Sequence, residues 1–138
     1  MMSVSEKQIK LIETTFKALG GKGHEFIEGF YARVFSTSPE IEAMFSDTDW
    51  QQQRNKVMLA LIMVVDNLHD MEHIKTMMQD TIKAHKPYPI LNSHYDLMNN
   101  AILITFADIL GEDWSEEAEN AWQIALDNVA TILKTETI

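Results

Sequence analysis

An all-α domain is the fold class that this sequence predicts, on three observations. Apolar residues recur at helical spacing through nearly the whole chain of 138 residues. Ile9, Ile12, Phe16 and Leu19 form one such stripe, and Val57, Leu61, Val64 and Leu68 form another. No segment shows the clean period-two alternation of a half-buried strand. Capping residues and helix breakers fall between the periodic stretches, where chain direction must change. The length suits one domain over residues 1–138, with a core large enough to hold a prosthetic group.

Taken in order, Ser5-Glu6-Lys7-Gln8 matches the S-x-x-Q capping box, so a first helix is predicted to begin there. Gly20, Gly21 and Gly23 end it in a turn. This GGKG follows a helix and lacks phosphate-loop spacing. A second helix is predicted from about His24 to Phe35, with Phe26, Ile27, Phe30, Tyr31, Val34 and Phe35 as a broad aromatic face. Ser38 and Pro39 read as N-cap and first residue of a short helix ending near Phe45. Ser46 to Trp50 reads as a polar loop. A third long helix is predicted from about Asp49 to Leu68, with Gln53 the polar member of its inner stripe. Its run Val57–Val65 is apolar nearly all round, which suits a helix held between others. The next helix places Ile74, Met78, Ile82 and His85 on one face, and Pro87 and Pro89 stop it near His85. Asn92 or Ser93 then caps a helix to about Leu110. Gly111 to Trp114 is a turn, and Ser115 caps the last helix, with Glu116 and Glu117 favoured by its dipole. Six or seven helices are expected.

Composition excludes several classes. The formal net charge is −10, which disfavours nucleic acid and anionic membranes as partners. There is no cysteine, so thiolate ligands, iron–sulfur clusters and disulfides are ruled out. The longest apolar run is too short to span a bilayer. The start lacks the apolar core of a signal peptide, and a cytoplasmic location is expected.

His85 continues an apolar stripe at a helix end. Such a histidine is either a buried residue with a satisfied hydrogen bond or a neutral imidazole ligating a metal or haem iron. Tyr31 on its aromatic face reads as a core tyrosine unless its hydroxyl serves a ligand. Gln53 sits at a helix end, where polar residues are ordinary. His69 and His73 are four apart with acids nearby, which is a weak metal-ion spacing. The paired E-x-x-H motifs of a di-iron bundle and the G-x-S-x-G of a hydrolase are both missing. A haem site needs one histidine on an apolar helix face with an apolar slot around it, and the chain supplies many apolar helix faces and no other evident ligand set.

Four stretches then carry a resemblance: FYARVFSTSPEIEAMF (Phe30–Phe45), QRNKVMLAL (Gln53–Leu61), HKPYPILNSHYDLM (His85–Met98) and LGEDWSEEAENAW (Leu110–Trp122). Together, and in this order, they resemble bacterial single-domain haemoglobins and the globin domain of flavohaemoglobins. The resemblance runs from about Glu6 to Leu133. It implies a globin fold, a three-over-three helical sandwich around haem b. It implies that His85 is the proximal iron ligand, and that Tyr31 and Gln53 are the distal, catalytic pair. It also implies that Phe45 wedges against the porphyrin, that Val57 crowds the ligand, that Tyr95 braces the proximal side, and that Leu61, Ile90 and Ile102 line the haem.

The function so implied is reversible binding of O₂ and other diatomic gases, NO and CO among them. Conversion of NO and O₂ to nitrate with an external reductase is a further implied activity. The other classes weighed are a gas or redox sensor signalling to a partner protein and a haem-free globin-like module. A monomer or a homodimer is expected. The chain departs from the pattern in several places. The third helix or the turn after it is about three residues shorter than in many relatives. Leu126 stands where relatives carry a proximal-side tyrosine, and Ala84 where flavohaemoglobins carry a lysine that meets the flavin domain. Glu136 is the candidate for the proximal glutamate. With the sequence ending at Ile138, no attached reductase domain is expected.

Overall fold

The computed structural model describes residues 3–85 and 90–137, with side chains for 3–84 and 90–134. Its helices are α1 (Glu6–Ala18), α2 (Gly23–Thr37), α3 (Pro39–Ala43), α4 (Trp50–Asp66), α5 (Met71–Met77), α6 (Gln79–His85), α7 (Asn92–Leu110) and α8 (Glu116–Thr137). Single 3-10 turns occupy Gly20–Lys22 and Gly111–Asp113. There is no strand among the described residues, and no helix is long and apolar enough to cross a membrane.

The caps behave as their chemistry dictates. Ser5 and Gln8 form the reciprocal capping box on α1. The hydroxyl of Ser38 accepts from the Ile41 N–H at 3.3 Å, with Pro39 in the first turn of α3. Asp49 caps α4 by accepting from the Gln52 N–H. Gly111 adopts a φ of 53°, which ends α7 in a conformation that side chains with a Cβ rarely take.

The helix expected to end at His85 is divided into α5 and α6 by Met78, whose ψ is 6°. Hydrogen bonds still run through the bend, from Met78 to the Ile74 carbonyl and from Ile82 to that of Met78, both at 2.9 Å. The inner stripe survives it, with Ile74, Met78 and Ile82 all buried. No proline or glycine marks the bend, so the sequence pattern reads straight through it. This division, not an extra segment, makes eight α-helices among the described residues instead of six or seven. Asp70 accepts from the His73 N–H at 3.0 Å and so caps α5. His69 and His73 are exposed, and no group of three metal-binding side chains occurs among the described residues.

The α2–α7 crossing is the most extensive helix pair, followed by α1–α8 and α7–α8. Gly29 lets α2 and α7 approach closely, because a Cβ there would stand 3.3 Å from Thr105 Cγ2. Arg33 ties the same pair, bonding the Gly29 carbonyl and pairing with Asp108. The core centres on Phe106, whose ring lies 4.6 Å from both Phe26 and Trp122. The Trp122 indole N–H donates to the Thr15 hydroxyl at 2.8 Å, joining α8 to α1 in a fully buried contact. Thr15→Val keeps the shape but leaves that N–H without an acceptor. Chemical denaturation should show a loss of about 1–3 kcal/mol; an unchanged midpoint would mean that the bond contributes nothing.

Candidate functional site

α2 carries two aromatic pairs with different neighbours. Phe26 and Phe30 belong to the deep core, while Tyr31 and Phe35 face α4 and the segment after α3. The Tyr31 ring is buried and is enclosed by Phe30 at 4.8 Å, Trp50 at 5.0 Å, Phe45 at 5.4 Å and Phe35 at 5.5 Å. Edge-on contacts of this kind add to area burial and hold the ring in place.

The Gln53 side-chain amide donates to the Tyr31 hydroxyl at 2.9 Å, across 22 positions of sequence. Since the phenol oxygen accepts from Gln53, its own proton is left to be donated to a third group. Burial raises the Tyr31 pKa above its ordinary value, and the Gln53 hydrogen bond only partly offsets that. The phenol therefore stays protonated, as a donor, throughout the physiological range.

A sign follows for alkali. A folded-state pKa above the unfolded value means that the native state holds this proton more tightly. The corresponding stability is complete below the unfolded value of about 10 and is lost as pH rises through the folded value. Ultraviolet titration of tyrosinate in the parent should thus show a late-ionising component that Tyr31→Phe lacks. The stability difference between the two proteins should shrink above about pH 10. Superimposable late limbs would contradict the burial argument.

The remaining predicted residues divide by depth. Leu61 on α4 and Tyr95 on α7 are buried. Phe45, Val57, Ile90 and Ile102 are half-buried and apolar, and Phe45, Val57 and Ile102 pack against the main core cluster. Burial along α4 deepens from Gln53 and Val57 to Leu61 and Val64. His85 is the last residue of α6; its side chain lies outside the described residues, as does that of Glu136. Leu126 is buried in α8, and its carbonyl accepts from Asn99 of α7 at 3.2 Å.

These residues fit a flat apolar cofactor with a polar ligand on one face. α4 packs mainly on α1 and α2, and α6 mainly on α8, whereas α4 and α6 are not an extensively packed pair among the described residues. Half-buried apolar side chains beside a hydrogen-bonded phenol and amide are the chemistry that haem and a diatomic gas require.

Three residues escaped the sequence reading. Trp50, where the expected loop and the helix expected from about Asp49 overlap, opens α4 and packs edge-on against the Tyr31 ring. The signal was present: it directly follows the N-cap Asp49 and lies three positions before Gln53, on the same helical face. Arg54 shares a small cleft with Tyr31 and Trp50. His94 is buried. Its Nδ1 accepts from the Leu91 N–H at 3.0 Å and its Nε2 faces Glu40 of α3 at 3.4 Å. An imidazole here replaces the Glu or Gln of a capping box and pins the start of α7 to α3.

A sequence model of the globin family matches residues 28–133. Among curated proteins, a flavohemoprotein of Rhizobium meliloti is 23% identical over 94% of this chain and 33% of its own length. The chain thus spans about a third of the flavohemoproteins it matches. A leghemoglobin of Canavalia lineata is 24% identical over 97% of this chain and 96% of its own. Among solved structures, the bacterial globin of Campylobacter jejuni superimposes with a TM-score of 0.84 over 96% of both chains, at 20% identity. The fold is the all-α globin fold, and the chain belongs to the globin family.

Proposed function

We propose that this protein is a haem-b globin that reversibly binds O₂ and other diatomic gases, including NO and CO. Its place in the globin family supports haem and gas binding in general. The observation that carries the finer reading is the Gln53–Tyr31 hydrogen bond, which leaves the phenol proton free for a third group. Haem, when bound, supplies an iron that coordinates diatomic gases and shifts electron density onto them. The chain's own residues do the rest. His85 holds the group from the end of α6. Phe45, Val57 and Ile102 exclude water, and Tyr31 and Gln53 present donors to negative charge in a setting where such bonds are strong. The chain has no cysteine, so non-covalent haem b is the form that suits it.

NO dioxygenation is part of the same proposal. One NO, one O₂ and one electron yield one nitrate, so each turnover draws an electron from an external reductase. The flavohemoproteins that this chain partly matches pair flavin with haem in their name, which supports a flavin reductase as the electron source. A cytoplasmic protein, monomeric or homodimeric, completes the reading, and its strong negative charge favours solubility.

The test is the absorption spectrum of the purified protein as isolated, after reduction and under CO. A Soret band that sharpens and shifts with CO is expected. Nitrate formed from NO should equal NO consumed when a flavin reductase and NADH are supplied. Protein that takes up no haem, even after mixing with haemin, would refute the assignment.

A further inference from the structure

His94 is buried, whereas His24, His69 and His73 are exposed. Its partners fix its tautomer. The Leu91 N–H donates to Nδ1 at 3.0 Å, so Nδ1 carries no proton and the neutral ring bears its proton on Nε2. Nε2 faces a carboxylate oxygen of Glu40 on α3 at 3.4 Å. Among the described residues Glu40 is the charged group set against the ring. Its side chain is 74% exposed and shares a polar cavity with Asp47, Asp49 and Lys56, so its pull on the ring is screened. On α7 itself Asp96 is paired with Lys134 of α8 at 2.8 Å.

Leu91 is the N-cap of α7, and its side chain offers the helix no acceptor. The bond to Nδ1 is the side-chain tie between the chain ahead of α7 and its first turn. Charging the ring puts a proton on Nδ1. Two N–H groups then face each other, and the tie is lost. The Nε2 proton faces Glu40 in both forms. Titration of one ring therefore breaks one named contact and keeps the other. We propose that His94 is a proton-sensitive positioning residue for the haem: neutral, it holds Ile90 and Leu91 against α7, and charged, it releases them and haem is held less tightly. This rests on the haem reading above, in which Ile90 and Tyr95, the residues flanking the tie, lie beside the group.

The test compares the haem-loaded parent with His94→Gln. A glutamine at this position accepts the same N–H, as in a capping box, and does not titrate. Protection of the Leu91 amide, measured by hydrogen exchange in NMR and corrected for the intrinsic effect of pH, should be alike in the two proteins at about pH 8. At about pH 5.5 the parent's protection should fall on the order of three- to tenfold below that of His94→Gln. Haem transfer to excess apomyoglobin should follow the same pattern. The parent should release haem faster than His94→Gln by a similar factor at about pH 5.5, and at an equal rate at about pH 8. The exposed histidines and the iron ligand titrate in both proteins, so only the ratio between the two is read. His94→Ala, which has no acceptor, should release haem quickly at both values. Should it fail to fold, the His94→Gln comparison decides alone. Equal Leu91 protection in acid overturns the proposal at its first step. Unequal protection with equal haem release overturns the positioning role alone. A parent that takes up no haem overturns the haem reading and the positioning role with it, while Leu91 exchange in the haem-free protein still decides whether the tie responds to protons.

Discussion

Tyr31→Phe is expected to release O₂ about one to two orders of magnitude faster than the parent, since a hydrogen bond to a charged acceptor contributes about 1.5–3 kcal/mol and about 1.4 kcal/mol is tenfold. The phenol proton that Gln53 leaves free is the group removed. The phenyl ring preserves the packing against Trp50 and Phe45, so the change isolates the donor. CO carries less charge at the site, and its dissociation should change far less. Gln53→Leu should act in the same direction and more weakly, through the orientation it gives the tyrosine. Stopped-flow displacement of O₂ beside CO exchange separates the cases. Equal effects on both gases would indicate a steric role. No effect from Tyr31→Phe would return it to being a core tyrosine whose hydroxyl is merely satisfied.

His85→Ala should abolish or greatly weaken haem uptake in the cell. The basis is the resemblance of the His85–Met98 stretch together with the apolar stripe that leads to it, Ile74, Met78 and Ile82, all of them buried. A ligand that binds only the native state stabilises it in proportion to the logarithm of its concentration over its dissociation constant. The parent's melting temperature should therefore rise with added haemin, and that of the variant should respond weakly or not at all. A variant with an unaltered haem spectrum and unaltered ligand kinetics would show that the iron is held elsewhere.

Much of this molecule was legible in its sequence. The capping box at Ser5 and the Ser38-Pro39 start are local chemistry. Each fixes a helix boundary through groups three residues apart, and each is found where the residues place it. The buried stripes follow from helical periodicity, because a face that is apolar must be covered whatever covers it. Periodicity is blind to two things. It reads straight through the bend at Met78, where the hydrogen bonds continue. It also gives no sign that Trp50 meets Tyr31 of α2 and Phe45 of the segment after α3.

The sequence by itself determined most of the helices and which of their faces are buried, because those properties depend on residues within one or two turns. Only the tertiary structure decided which buried faces meet. Gln53 reaches Tyr31 across 22 positions and Trp122 reaches Thr15 across 107. Neither contact is encoded in local spacing. Both follow from how the helices pack, and at the central α2–α7 crossing that depends on the absence of a Cβ at Gly29 opposite Thr105. An apolar stripe specifies burial without specifying a partner. Close-packed crossings supply the partner, and with it the donor pair that the proposed chemistry needs.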